Sequence, residues 1–106
     1  MAWLTLIAAG ILEVVWSLGL KRSQGLTRPL SGAVTVVALV ASMLLLARAT
    51  RALPIGTAYA VWVGIGAAGA AVGGALLFDE PMPPARAAFL ALLVASIVGL
   101  KVTASP

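Results

Sequence analysis

The sequence has no cysteine and no histidine. Their absence excludes disulfide frameworks, thiolate nucleophiles, the usual zinc sites and imidazole acid–base chemistry. Charge is scarce as well: 7 Lys+Arg and 3 Asp+Glu make up 9% of the residues, where a soluble domain carries about 25%. Ten charges are too few to clothe a 106-residue globule in water, and a hydrophobic content of 62% is equally at odds with a disordered chain. The net charge of +4 does not indicate nucleic acid, because the basic residues form no dense patch interleaved with aromatics. They stand at the ends of apolar stretches, where membrane proteins keep them. No nucleophile lies beside a base, which argues against an enzyme, and no residue set calls for a metal or cofactor. An integral membrane protein of one domain remains.

Breaking the chain at its charges and prolines leaves four apolar segments. They run from about Trp3 to Leu20, Leu30 to Ala47, Pro54 to Phe78 and Ala87 to Leu100. The last is short for a bilayer unless Ala85 and the Lys101 stem extend it, giving spans of 3–20, 30–47, 54–78 and 85–101. Crossing ~30 Å of hydrocarbon takes roughly 20 helical residues. The links are short and rich in turn formers, Ser23-Gln24-Gly25 and Asp79-Glu80-Pro81-Met82-Pro83-Pro84 among them, so neighbouring helices should be antiparallel. The expected fold is an all-α, four-helix transmembrane bundle. A secretory signal is a poor alternative for the first segment, which lacks a basic leader and carries Glu13 within its apolar run.

Four spans place both termini on one side. Lys21, Arg22, Arg28 and Arg86 then lie opposite the termini, and Arg48, Arg51 and Lys101 lie with them. Orientation follows Lys/Arg asymmetry, and four against three is almost none. Either other features set one orientation, or copies insert both ways and pair antiparallel. The second arrangement would supply the inverted halves from which alternating-access transporters are built.

Glu13 is the only acidic residue within a span, about ten residues into the first and close to the midplane. An ionisable group there costs about 3 kcal/mol on insertion scales, and no basic residue in the apolar interior offsets it. Desolvation favours the neutral form of such a carboxyl. One reading is a permanently neutral acid bridging two helices. The other, favoured because intramembrane carboxylates without structural partners mark pathways, is a proton- and cation-binding site. Gly10 and Trp16, three residues either side, share its helix face. Trp16 brings an N–H donor and an aromatic wall, and Gly10 removes bulk. Ser42 is the clearest polar side chain inside the second span, while Tyr59 and Trp62 project together from the third. Bland alternatives are a bond from Ser42 back to its own helix and an aromatic belt for the Tyr–Trp pair.

Gly64-Ile65-Gly66-Ala67-Ala68-Gly69 matches a dinucleotide-binding fingerprint letter for letter. It lies inside an apolar run with no preceding strand, so the match is spurious; its physical meaning is a weak point where a helix can kink. Gly69, Gly73 and Gly74 allow another helix to come close. In the fourth span Ala91, Ala95 and Gly99 form a small-residue stripe suited to helix association in lipid.

Taken together, the length, the four spans, Glu13, Tyr59-Ala60-Val61-Trp62 and Gly64-Ile65-Gly66 resemble the small multidrug resistance family over essentially the whole chain. Gly10, Val14-Val15-Trp16, Lys21 and Pro54-Ile55-Gly56-Thr57-Ala58-Tyr59-Ala60 are most similar to its guanidinium exporter subtype. Trp16 and Leu39 depart from the polyaromatic-cation subtype, which has glycine and tyrosine at those places. The proline-dense loop at Pro81, Pro83 and Pro84 is a local departure from the family pattern. The resemblance implies a bacterial inner-membrane exporter of guanidinium-type cations, driven by protons. It implies an antiparallel, dual-topology homodimer whose two Glu13 side chains share one cavity. Trp16, Ser42 and Trp62 would order the carboxylates by hydrogen bonding, and Tyr59 would help close the cavity. Gly64 and Gly66 would form a hinge, and Ala91, Ala95 and Gly99 a dimer contact. Rival expectations are a broader exporter of quaternary or aromatic cations and a non-transporting subunit of a heterodimer.

Overall fold

The computed structural model describes residues 1–103, in four α-helices: α1 (Ala2–Arg22), α2 (Pro29–Ala49), α3 (Ile55–Leu77) and α4 (Pro84–Thr103). They contain 21, 21, 23 and 20 residues, or about 30–35 Å at 1.5 Å per residue. Each is long and apolar enough to cross a membrane. Proline punctuates three starts: Pro29 and Pro84 open α2 and α4, and Pro54 precedes α3. Proline lacks the N–H that a first helical turn leaves unsatisfied and holds a helical φ, so it starts a helix without strain. At the other ends Lys21 and Arg22, Arg48, and Lys101 occupy the last turns of α1, α2 and α4, where cations complement the helix dipole.

The helices lie side by side in the order α2–α1–α3–α4. α1 packs against both α2 and α3, whereas the helix packing of α4 is against α3. The result is an open slab of 43 × 34 × 16 Å. Burial follows helical periodicity: Leu6, Ala9, Gly10 and Glu13 on α1 face Gly32, Thr35, Ala38, Ser42, Leu46 and Ala49 on α2 and the inner face of α3. The hydrophobic core gathers at the end that holds the N-terminus, where Leu6 and Ala9 meet Leu46, Ala49, Ala58, Val61 and Trp62. No residue of α4 is buried; Leu90, Leu93 and Ile97 are half-covered and the rest is exposed. Leu30, Leu76 and Phe89, each more than two-thirds exposed, point outward, as lipid solvation requires of helices apolar all round.

Two contacts tie helix ends together. Lys21 pairs with Glu80 and sits over the Phe78 ring at 5.2 Å, holding the end of α1 to the α3–α4 link. Lys101 lies 5.3 Å from the Trp3 ring centre, joining the end of α4 to the start of α1. Ser23 organises the α1–α2 turn from a fully buried position. Its hydroxyl accepts the Leu26 N–H at 3.0 Å, and the Gly25 N–H returns to the Leu20 carbonyl at 2.9 Å. Gln24, Gly25 and Leu26 all take positive φ there, 53°, 73° and 71°. A left-handed conformation costs a non-glycine residue roughly 1–2 kcal/mol, so the hydroxyl holds a turn the backbone resists. Ser23→Ala removes the acceptor, and thermal unfolding in detergent micelles should register a loss of about 1–2 kcal/mol.

Candidate functional site

Glu13 sits in the middle of α1 on the side turned inward between α2 and α3, and is 9% exposed. α3 makes room for it. A Cβ placed on Gly66 would lie 2.6 Å from Glu13 Cγ and closer still to the carboxyl group. The carboxyl therefore rests on bare backbone, in a place any side chain at Gly66 would take. The same face of α3 receives Val14 at Gly69 and Leu18 at Gly73, so α1 and α3 approach along a glycine seam. Gly10 fits from the other direction, where a Cβ would come within 2.8 Å of Ile65 Cγ2. Gly64 takes a neighbour from the far side, its missing Cβ 2.7 Å from Ile97 Cδ1 of α4. α3 stays helical through both Gly64 and Gly66.

Glu13 Oε1 is buried without a hydrogen-bond partner, and so is Trp16 Nε1 one helical turn on. Among the described residues no basic side chain pairs with Glu13, the ion pair there being Lys21 with Glu80. A buried acceptor and a buried donor left open one helical turn apart are costly in a packed interior. A carboxylate there accepts hydrogen bonds or a proton, and the indole edge donates.

Ser42 and Trp62 form a chain of their own. Trp62 Nε1 donates to Ser42 Oγ at 3.0 Å, and Ser42 Oγ donates to the Ala9 carbonyl at 2.6 Å. Ala9 is four residues before Glu13, so its carbonyl also receives the Glu13 backbone N–H of the α-helix. In this arrangement the two side chains reach the backbone under Glu13 instead of its carboxyl oxygens. All three helices of the core meet in that chain. Tyr59 stacks near Trp62, ring centres 5.6 Å apart and tilted 45°, but is 53% exposed and stands at the rim. Ala91, Ala95 and Gly99 lie apart from this group on exposed α4, and Gly99 has open space where a Cβ would point. Sequence reasoning missed Ile65, which closes over Gly10, and the Ala9 carbonyl. No sequence signal marks the carbonyl, but a bulky residue between two glycines could have pointed to Ile65.

Ser42→Ala leaves the Trp62 N–H buried without an acceptor, and should cost about 1–3 kcal/mol in thermal unfolding. Trp62→Phe on that background should then cost less than it does alone, the non-additivity that a direct contact produces.

The Small Multidrug Resistance protein family model matches residues 1–93. Proteins named guanidinium exporter from Citrobacter freundii and Escherichia coli (strain K12) are each 52% identical over 103 residues, which is 97% of this chain and 98% of theirs. One of the same name from Salmonella typhimurium (strain LT2) is 52% identical over 104 residues, 98% of this chain and 99% of its own. With four membrane-spanning helices and relatives of this kind, the protein is a multi-pass protein of the bacterial inner membrane. The chain belongs to the small multidrug resistance family.

Proposed function

We propose that the protein exports guanidinium and small guanidinyl cations in exchange for protons, working as an antiparallel homodimer. The observation that carries this reading is Glu13: the one acid within the spans, buried, with an unpartnered oxygen one helical turn from an unpartnered indole N–H. The relatives named guanidinium exporter, 52% identical over nearly the full length, favour guanidinium as the cargo.

The chemistry follows from shape and charge. Guanidinium is planar and cationic, and its N–H groups meet carboxylate oxygens in parallel pairs. In the proposed dimer two Glu13 carboxylates face one chamber, repel each other and titrate as a coupled pair. Protons and the flat cation then compete for the same oxygens. If the dimer changes its open side only when both acids are neutralised, the inward proton gradient drives the cation outward. Trp16 donates toward the carboxylate, while Ser42 and Trp62 steady it through the α1 backbone. Tyr59 narrows the rim. Gly64 and Gly66 let α3 repack between the two forms, and Ala91, Ala95 and Gly99 form part of the contact between copies. The near balance of basic residues at the two ends of the slab permits insertion in both directions.

Purified protein in proteoliposomes should move guanidinium against an imposed proton gradient without any other subunit. Glu13→Gln should abolish that exchange, and coupled transport by the variant would sink the mechanism. Because only the ionised acid pairs with the cation, guanidinium affinity should fall as pH is lowered. Tetraphenylphosphonium should compete poorly; strong competition would favour the broader aromatic-cation reading.

A further inference from the structure

The slab has a second face. At about 100° per residue, Val15 lies about 200° and Arg22 about half a turn away from Glu13 around α1. Both line a groove along the flank of α1 turned away from the carboxylate. It consists of two depressions along α1 and α2, of about 410 Å³ and about 420 Å³, the first reaching Leu77 and Phe78 at the end of α3. They share Val15 and Val34, so they adjoin along α2. Its deep half carries only apolar side chains, among them Leu12, Val37 and Ala41. Its mouth holds Arg22 and Ser31.

The geometry points to a binding site for one anionic phospholipid, its phosphate on Arg22 and one acyl chain laid along the α1–α2 groove. Length supports this occupant. From Leu30 to Ala41 the groove follows α2 for about 16 Å at 1.5 Å per residue. That is half of the ~30 Å hydrocarbon core, the depth of one leaflet. Charge supports it too. Lys21 is taken by Glu80, and among the described residues Arg22 has no carboxylate partner. Its guanidinium stands exposed at the end of α1, where headgroup phosphates lie and where two parallel N–H···O bonds to phosphate form readily. A second copy is a poor occupant. The chain carries three acids and a net charge of +4; Glu13 is buried and Glu80 engaged, which leaves Asp79 against seven basic residues, so a copy brings more positive charge to Arg22 than negative.

Native mass spectrometry of the protein from micelles doped with equal dioleoylphosphatidylglycerol and dioleoylphosphatidylcholine tests the site. The wild type should retain the phosphatidylglycerol in about fivefold preference, the size expected of one basic residue at an anionic surface. Arg22→Gln should bring that ratio close to one, and Val34→Phe, which fills the groove at unchanged charge, should reduce retained lipid of both kinds. Arg86→Gln removes the same charge at the same end of the slab, away from the groove, and should keep the preference. Equal losses in the Arg22 and Arg86 variants would reduce the effect to general surface charge and overturn the proposal. So would equal retention of the two lipids by the wild type. Guanidinium binding by Arg22→Gln in detergent should match the wild type, which separates failure of this site from failure of the proposed exchange.

Discussion

A carboxyl group can stand in the middle of this membrane protein because the helix beside it has no side chain at that level. Gly66 offers Glu13 bare backbone, and Gly69 and Gly73 let α1 continue along the same seam past Val14 and Leu18. In lipid there is no hydrophobic gain from pressing two apolar helices together, so close backbone approach is what holds them. The same feature therefore packs α1 on α3 and removes the acid from the hydrocarbon. Moving α1 outward by the width of a methyl group would weaken the packing and expose the acid at once.

Much of this fold is written plainly in the chain. Four apolar segments separated by charges and prolines become four membrane-length helices, because a helix satisfies its backbone hydrogen bonds in hydrocarbon within a single segment. Glu13 stands out by simple scarcity. The partners of the site are less legible. Ser42 and Trp62 are polar groups on apolar helices, which tells that they need partners but not which ones; their bonds run to each other and to the Ala9 carbonyl. Glycines are ambiguous for a different reason, since the letter serves both for bending and for close contact. Gly64 and Gly66 sit against Ile97 and Glu13 within an unbroken helix. The buried role of Ser23 was invisible, because a serine in a polar link looks like solvent-exposed punctuation until three successive positive φ angles make its hydroxyl necessary.

The slab is also uneven along the membrane normal. Its hydrophobic core lies at the end with the N-terminus, where α1, α2 and α3 converge on Leu6, Val61 and Trp62. At the other end α1 and α2 stay in contact beneath the groove, with Thr35 seated at Gly19, and the α3–α4 link is held to α1 through Lys21 and Glu80. Few packed contacts make an element easier to move. α4 is the extreme case, anchored through Leu93 and Ile97 on one side of α3 and through Lys101 at Trp3, with most of its surface exposed. A helix that buries nothing within its own chain adds little to the stability of that chain, which supports a role for α4 in contacts with another copy.

The absences noted in the sequence bear directly on the proposed exchange. Tight coupling requires that a proton and a cation never be carried together, and that neither crosses alone. Any further titratable group along the path would give protons a place to wait while the cation held the carboxylates. This chain has no histidine or cysteine, and no acid besides Glu13 and no lysine within the apolar interior of the spans. Asp79 and Glu80 lie in a link, and Glu80 is held by Lys21. In the proposed exchange one acid per subunit would suffice, and its isolation would keep the competition exclusive. The polar side chains near it are indoles and a hydroxyl, neutral groups that add no charge to compete with it.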